Sequence, residues 1–380
     1  PGQWYLDRTA GTVSYWPLPG EELAAAEIIA PTAARVIRLE GTEAAPVAEV
    51  TLRGLTVSAT TTPLVAGGFA AGRFDGALSG AHLRDCRILD CAARAVGGQG
   101  MKLLGAERLR IAGCETADTG AGGIYLHKSR DCAVTECHIH HNGRTYPSAI
   151  GLQLSGAGHV ISHNEIHHTT YSGVGSSAST TRFEANLFYD IMQVLSDGGA
   201  IYITFCADVT MRGNVVRGGT GTQLSHAYYI DEQGERCVVE GNLAVNTRWP
   251  AHNHMARGGV IRRNVFIDAG DARLTFMRCA DFTVAENIIV AGGALTVSAP
   301  PTGITAMPKN VLWSGQGVIT LETLPEDDYQ TRASAPLAPR DGTVIADPHL
   351  NGAAFGPDSP AAALGIPPLD ISAAGRSRRE

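Results

Sequence analysis

The sequence predicts an all-β fold: a right-handed parallel β-helix of about ten coils, with an asparagine and cysteine ladder and a cap at its N-terminal end. One short pattern recurs at intervals of 22 to 28 residues. Within each repeat, apolar side chains alternate every second residue, which indicates strands rather than helices. Short strands, frequent turns and a fixed period are typical of a solenoid whose coils stack on one another.

The repeated pattern is an apolar residue, two variable residues, a ladder position, one variable residue and a second apolar residue. The ladder position holds cysteine and then asparagine along the chain: Cys86, Cys114, Cys137, Asn164, Asn186, Asn214, Asn242, Asn264, Asn287 and Asn310. Side chains at one position of successive coils stack about 4.8 Å apart. We therefore expect a hydrogen-bonded column of amides, with the cysteines filling the same column as small apolar residues.

Two further columns follow from the same register. Two residues past the ladder position, apolar side chains predict an inward stack. Four residues past it, polar side chains predict a turn column: Asp90, Asp118, His141, His168, Asp190, Asn246 and Asp268. These polar residues have a structural explanation, so we do not treat them as first candidates for chemistry.

The pattern divides the chain into three parts. Residues 1–50 lack the ladder and predict an N-terminal cap with the first strands, because a solenoid must cover its open end. Residues 51–320 form the predicted β-helix. Residues 321–380 are rich in proline and alanine and predict a C-terminal extension, with a disordered charged tail at 376–380.

Composition narrows the classes of function. The chain of 380 residues is 44% hydrophobic and 18% charged, with a formal net charge of -7, which predicts a folded protein without the basic face of a nucleic-acid binder. No apolar run is long enough for a membrane span. No signal peptide is visible, but a chain that starts at Pro1 looks trimmed. Eight cysteines in this length do not indicate a disulfide scaffold.

A second strand in each coil predicts a binding surface. Aligning residues 122–128, 148–154, 198–204 and 226–232 puts Ile124, Leu126, Ile150, Leu152, Ile201, Ile203, Tyr228 and Ile230 inward. The same alignment puts Tyr125, His127, Gln153, Tyr202, Tyr229 and Asp231 outward, with glycines between them. Flat rings and hydrogen-bonding edges beside small residues suit a sugar chain, although a simple solvated sheet face is the alternative.

Glycoside hydrolysis commonly needs two carboxylates, and two aspartates are candidates. Asp231 lies on the outward face, and Asp197 precedes a Gly-Gly turn that allows a tight fold. Glu232 follows Asp231 and points to the opposite side unless the strand ends there. Asp197 aligns with Leu224 rather than with Asp231, so the two acids share a groove only if the turn doubles back. Either aspartate alternatively serves as a turn or strand-end residue.

Histidines concentrate between positions 127 and 168, where eight of the thirteen lie. The register pairs His140 with His167 and His141 with His168. Stacked imidazoles can bind zinc, but a hydrogen-bonded turn stack is the more common arrangement, so we predict no metal and no cofactor. We expect substrate contacts from the outward residues named above, including His127, and also from Tyr171, His226, Glu232, His252 and His254.

Three segments carry a resemblance to a known family. HNEIHHTTYSGVG (163–175), SDGGAIYI (196–203) and HAYYIDEQG (226–234) resemble bacterial right-handed β-helix proteins related to glycoside hydrolase family 141, known for α-L-fucosidase and xylanase activities. The resemblance covers most of the chain, and non-enzymatic β-helix repeat proteins share it. It implies that Asp197 and Asp231 are the catalytic acids.

Three functions compete at this point. A hydrolase would act on an oligo- or polysaccharide with Asp197 and Asp231 as its acid and base or nucleophile. A lyase would act on uronic-acid sugars and could use Lys128, His127 and Tyr125. A non-catalytic glycan-binding β-helix would need no converging acids. We predict the hydrolase, in the periplasm or secreted, with neither nucleic acid nor membrane as partner; cytoplasmic location and oligomeric state stay open.

Overall fold

The computed structural model describes residues 1–218, 225–325 and 332–377. The chain divides into two compact units, Pro1–Thr32 and Ala33–Glu380. The first unit contains an antiparallel hairpin of strands Trp4–Asp7 and Thr12–Tyr15 and a short 3-10 helix, Leu23–Ala25. Whether residues 1–50 act as a cap stays a prediction.

The second unit is built on three long sheets, which we number in the order in which each coil visits them. Among the described residues, sheet 1 contains Ile37–Glu40, Gly76–Ala81, Gln99–Leu104, Ile124–Arg130, Leu152–Ala157, Val174–Ser179, Gly198–Ile203, Ser225–Ile230, Trp249–His254, Ala272–Met277, Leu295–Ala299, Ile319–Thr323 and Ala333–Pro336. Sheet 2 contains Thr51–Arg53, Arg87–Leu89, Arg110–Ala112, Ala133–Thr135, Val160–Ser162, Arg182–Glu184, Thr210–Arg212, Val238–Glu240, Val260–Arg262, Phe282–Ala285 and Ile304–Ala306.

Sheet 3 contains Thr56–Thr60, Ala92–Val96, Glu115–Thr119, His138–Asn142, Glu165–Thr169, Leu187–Tyr189, Val215–Arg217, Leu243–Val245, Val265–Asp268, Ile288–Ala291, Val311–Ser314 and Val344–Ile345. Small pairs complete the strands: Val47–Ala48 with Leu83–Arg84, and Leu350–Asn351 with Ala354–Phe355. Each strand of a long sheet pairs in parallel with the strand one coil away, apart from the antiparallel last pair of sheet 1. The prediction of a right-handed parallel β-helix of about ten coils is confirmed.

One predicted alignment within sheet 1 is wrong by two residues. Ile124 lies opposite Leu152, and Tyr125 lies opposite Gln153, whereas the sequence alignment placed Ile124 beside Ile150. A shift of two residues keeps every side chain on its face of the sheet, so Gln153 still points outward. The alignment of Asp197 with Leu224 lies outside the described residues.

The asparagine ladder runs along the turn between sheets 2 and 3, and its seven members are fully buried. Asn214 is representative. Its Nδ2 donates to the carbonyl of Phe183 at 2.9 Å and to Oδ1 of Asn242 at 3.0 Å, while its own Oδ1 accepts from Asn186. Each amide therefore ties its coil to both neighbours, as the sequence predicted.

The cysteine and turn columns also follow the predicted register. All eight cysteines are buried and free, including the three at ladder positions. Six of the seven turn-column residues, Asp90, Asp118, His141, His168, Asp190 and Asn246, have φ angles between 47° and 55°. This left-handed region is easiest for residues with short polar side chains, which explains the composition of the column.

The C-terminal segment returns along the outward face of sheet 3. A short helix, Pro360–Ala363, and its flanking residues bury an apolar stripe of that sheet formed by Val215, Leu243, Val265, Ile288 and Val311. Farther back along the rod, Gly375 N–H donates to the carbonyl of Ala185 at 2.8 Å. Ser377, in the tail expected to be disordered, instead donates two hydrogen bonds to Glu136. Residues 378–380 lie outside the described part.

Among the described residues, no helix has the length and apolar character to cross a bilayer.

Candidate functional site

The outward face of sheet 1 holds the aromatic residues of the predicted groove. On strands Gly198–Ile203 and Ser225–Ile230 the inward side chains are fully buried. On the outward side, Tyr202, Tyr229 and His252 occupy the same position of three successive coils. The rings of Tyr202 and Tyr229 meet edge to face, with centroids 4.9 Å apart. The period of two in these strands therefore stacks rings from distant parts of the chain.

Asp231 lies at the end of this face and is held on both oxygens. The hydroxyl of Tyr202 donates to Oδ2 at 2.8 Å, and Nδ1 of His254 lies 2.8 Å from Oδ1. Only 9% of Asp231 is exposed. Burial raises the pKa of Asp231, but the hydrogen bonds from His254 and Tyr202 outweigh burial and leave the pKa below its ordinary value. Asp231 is therefore an almost fully buried carboxylate kept in its charged form.

Asp197 lies in the turn that enters the strand Gly198–Ile203. Its φ is 61°, its side chain is exposed, and its carbonyl accepts a hydrogen bond of 2.8 Å from the hydroxyl of Tyr171. The charges of Asp197 and Asp231 act on the same groups: both raise the pKa of Tyr171 and of Tyr229, and both oppose the effect of burial on the pKa of His226. Burial is the largest cause of each of these three shifts. The two charges thus act on one set of aromatic side chains.

Of the histidines predicted to contact substrate, His254 contacts Asp231 directly, whereas His226 and His252 pack against Tyr229. His226 is 5% exposed, and its Nδ1 lies 2.7 Å from the carbonyl of Gly198. Its ring stacks on that of His252 at 4.4 Å. Burial lowers the pKa of His226, and burial and the neighbouring His226 lower that of His252 to about 3. Both rings are therefore neutral near pH 7, whereas His254 faces the charged Asp231.

Structure adds groove residues that the sequence did not indicate. The indole of Trp249 lies edge-on to His226 at 5.7 Å, and the guanidinium of Arg248 lies 4.8 Å from the indole ring. Phe69, which is 59% exposed, contacts Tyr171 edge to face at 6.4 Å. Phe69 belongs to the long loop before strand Gly76–Ala81, and no periodic signal connects that loop to a coil four repeats away. Trp249 was detectable, since it precedes the aligned His252.

Other predicted residues lie farther along the same face. Tyr125 and Gln153 are three and two rungs from Tyr202, about 14 and 10 Å at the spacing of strands. The ammonium of Lys102 lies over the Tyr125 ring at 5.6 Å. His127 contacts Ser155 and lines a separate groove with Lys128 and Arg130.

Two further predicted residues, Gln153 and Glu232, differ in their hydrogen bonding. Within the described residues, Oε1 of Gln153 is buried without a hydrogen-bond partner. Glu232 follows the end of the strand, as one reading of the sequence allowed. Its backbone supports the site: its N–H bonds to Asp231 and its carbonyl accepts from Phe205 at 2.7 Å.

A separate histidine cluster lies on the outward face of sheet 3. His140 is the register neighbour of His167, as predicted, and His138 lies beside them. One ligand nitrogen from each of these three rings lies within 4.8 Å of the others, and this is the one such group among the described residues.

Comparisons with known proteins agree on the fold. A family model described as a right-handed β-helix region matches residues 75–244. A solved glycoside hydrolase is 19% identical with a TM-score of 0.59, over 70% of this chain and 55% of its own. The catalytic unit of a GH87 α-1,3-glucanase from Streptomyces thermodiastaticus is 14% identical with a TM-score of 0.52, over 73% of this chain and 58% of its own.

The chain therefore spans a little over half the length of these two structures. No curated protein matches it. At these identities the similarity shows the shared architecture, a parallel β-helix, while residues and activity must be argued from the groove itself.

Proposed function

We propose that this protein hydrolyses glycosidic bonds of an oligo- or polysaccharide bound in the sheet 1 groove. The observation that carries the proposal is Asp231, a carboxylate on an aromatic surface that receives hydrogen bonds from Tyr202 and His254. The charge of a second carboxylate, Asp197, acts on Tyr171 and Tyr229 of the same surface. Two acids flanking the bound sugar are the minimum that most glycosidases need.

The two aspartates differ in environment, which assigns their roles. Asp231 is charged because its hydrogen bonds stabilise the anion, so it acts as the base or the nucleophile. Asp197 is exposed in the free protein. We assign it the remaining role, that of the acid that protonates the leaving oxygen.

The surrounding residues suit a saccharide. Tyr202 and Trp249 offer ring faces and edges to sugar C–H groups, and the imidazole of His252 offers a hydrogen-bonding edge. His226 and Tyr229 are nearly buried and pack against these rings. The two similar structures named above are called a glycoside hydrolase and an α-1,3-glucanase, which is in keeping with this use of the fold. The relationship to glycoside hydrolase family 141, and a periplasmic or secreted location where such polymers are met, belong to the same proposal.

The test compares three matched variants of the full chain. Asp231→Asn and Asp197→Asn remove one carboxylate each with little change in volume, and asparagine tolerates the positive φ of Asp197. Asp118→Asn is the control, because Asp118 also has a positive φ of 50° and an exposed side chain but lies on sheet 3. Each protein is incubated with aryl glycosides and with plant and bacterial polysaccharides, and reducing-sugar release is measured.

We expect both site variants to lose activity by at least about 100-fold, with the control unchanged. Full activity in Asp231→Asn contradicts the proposal. An unsaturated uronic-acid product, seen by its ultraviolet absorbance, would instead identify a lyase, for which the groove at His127 and Lys128 is the alternative site. Saccharide binding without any product would identify a glycan-binding protein.

A further inference from the structure

The histidine cluster on sheet 3 contains an unusual set of contacts. Nε2 of His138 lies 2.8 Å from Nε2 of His167, and Nδ1 of His167 lies 2.7 Å from Nδ1 of His168. A neutral imidazole carries a single N–H, so His167 can donate at only one of its two nitrogens. The rings of His140 and His167 are also stacked, with centroids 4.9 Å apart. The outward face thus gathers nitrogen lone pairs at one point.

We infer that His138, His140 and His167 form a binding site for a divalent transition metal, and we assign it to Zn²⁺. Imidazole nitrogen is a preferred ligand of zinc, at about 2.0–2.1 Å, which puts tetrahedral ligands about 3.4 Å apart. The 2.8 Å between His138 and His167 needs an opening of about 0.6 Å to reach that separation. His140 exchanges one contact, with His141 or with Glu115, for the metal.

The second ring nitrogen of His167 already has a partner of the kind that zinc ligands use, because its Nδ1 lies 2.7 Å from Nδ1 of His168. With Nε2 of His167 on the metal, its Nδ1–H donates to His168, so His168 orients the ligand from the second shell, as partners of zinc-bound imidazoles do.

Carboxylates next to the cluster supply charge for a dication. Glu165 occupies the position beside His138 on the next coil and accepts a hydrogen bond of 2.7 Å from the hydroxyl of Tyr189. Glu115 lies 3.4 Å from Nε2 of His140. Glu165 or a water completes four-coordination. His138 and His140 belong to one coil and His167 to the next, so the metal joins adjacent coils. The metal site lies on sheet 3 and the candidate catalytic residues lie on sheet 1, so this inference does not depend on the proposed function.

The experiment uses the untagged full chain, stripped with a chelator and dialysed, and titrated with Zn²⁺ against a chromogenic indicator or by calorimetry. We expect one Zn²⁺ per chain and a melting temperature that rises with Zn²⁺ concentration. His138→Ala should weaken binding at least tenfold and abolish the thermal shift. His349→Ala, an exposed histidine elsewhere in the chain, should change neither.

Absence of Zn²⁺ binding by the unmodified protein overturns the inference, as does binding of ordinary strength in both His138→Ala and His167→Ala. Because His167 is 7% exposed and its removal could unfold the chain, His140→Ala and His138→Gln are made as well, and circular dichroism checks each fold. Equal binding in those two folded variants refutes the site by itself.

Discussion

The asparagine ladder allows a quantitative prediction at Asn214. Replacing it by alanine removes four side-chain hydrogen bonds: two donated by Nδ2, to Phe183 and to Asn242, and two accepted by Oδ1 from the backbone and the side chain of Asn186. All of these groups are buried, so water does not replace the missing partner. The perturbation is confined to one turn and changes no charge.

The magnitude follows from those bonds. Each buried hydrogen bond contributes about 1 kcal/mol net, and each partner left unsatisfied costs about 1–3 kcal/mol. Four bonds give a loss of at least about 4 kcal/mol in the free energy of unfolding. The control is Asn246→Gly, where one exposed bond from Ala269 is lost and glycine accepts the φ of 55°. A loss of no more than about 1 kcal/mol is expected there.

Urea unfolding followed by circular dichroism gives both values, and amide hydrogen exchange locates the effect. Exchange should accelerate in the coils around Phe183, Asn214 and Asn242 before it does elsewhere, since a solenoid opens by neighbouring repeats. The reasoning is refuted if Asn214→Ala costs less than about 1 kcal/mol or no more than Asn246→Gly. Either outcome would mean that the amides align without stabilising the stack.

Three further predictions concern single groups. Tyr202→Phe removes a hydrogen bond that lowers the pKa of Asp231. That pKa then rises, and the acidic limb of kcat/KM should move to higher pH; an unshifted limb argues against Asp231 as the ionised group. Glu322→Gln removes the charge of a half-buried carboxylate that accepts hydrogen bonds from Arg273, Arg332 and Ser298. It should cost about 1–3 kcal/mol by urea unfolding, whereas a neutral result would show that these contacts together contribute little. Burial raises the pKa of Cys132 to about 11, so its thiol should react with a disulfide reagent only after denaturant is added, and fast labelling of the native protein contradicts this.

The sequence repeat was enough to predict the architecture, because in a solenoid residues one repeat apart in sequence become neighbours in space. One side chain per coil fills a fixed place, so residues about 25 apart become neighbours. The stacking of Asn186, Asn214 and Asn242 could therefore be predicted from the sequence. The same logic placed Tyr202 beside Tyr229 and predicted that His140 meets His167. Period-two alternation then separated inward from outward side chains.

Only the tertiary structure shows the positions of segments that do not follow the repeat. Insertions between strands follow no period. The sequence therefore could not predict the contact between Phe69 and Tyr171 or the conformation of the turn that carries Asp197. The return of the C-terminal segment over sheet 3 was equally hidden, because its apolar residues show no repeat. Side-chain rotamers settle the rest: the register put His254 on the face of Asp231, but only the folded chain shows its imidazole donating to that carboxylate and holding it charged.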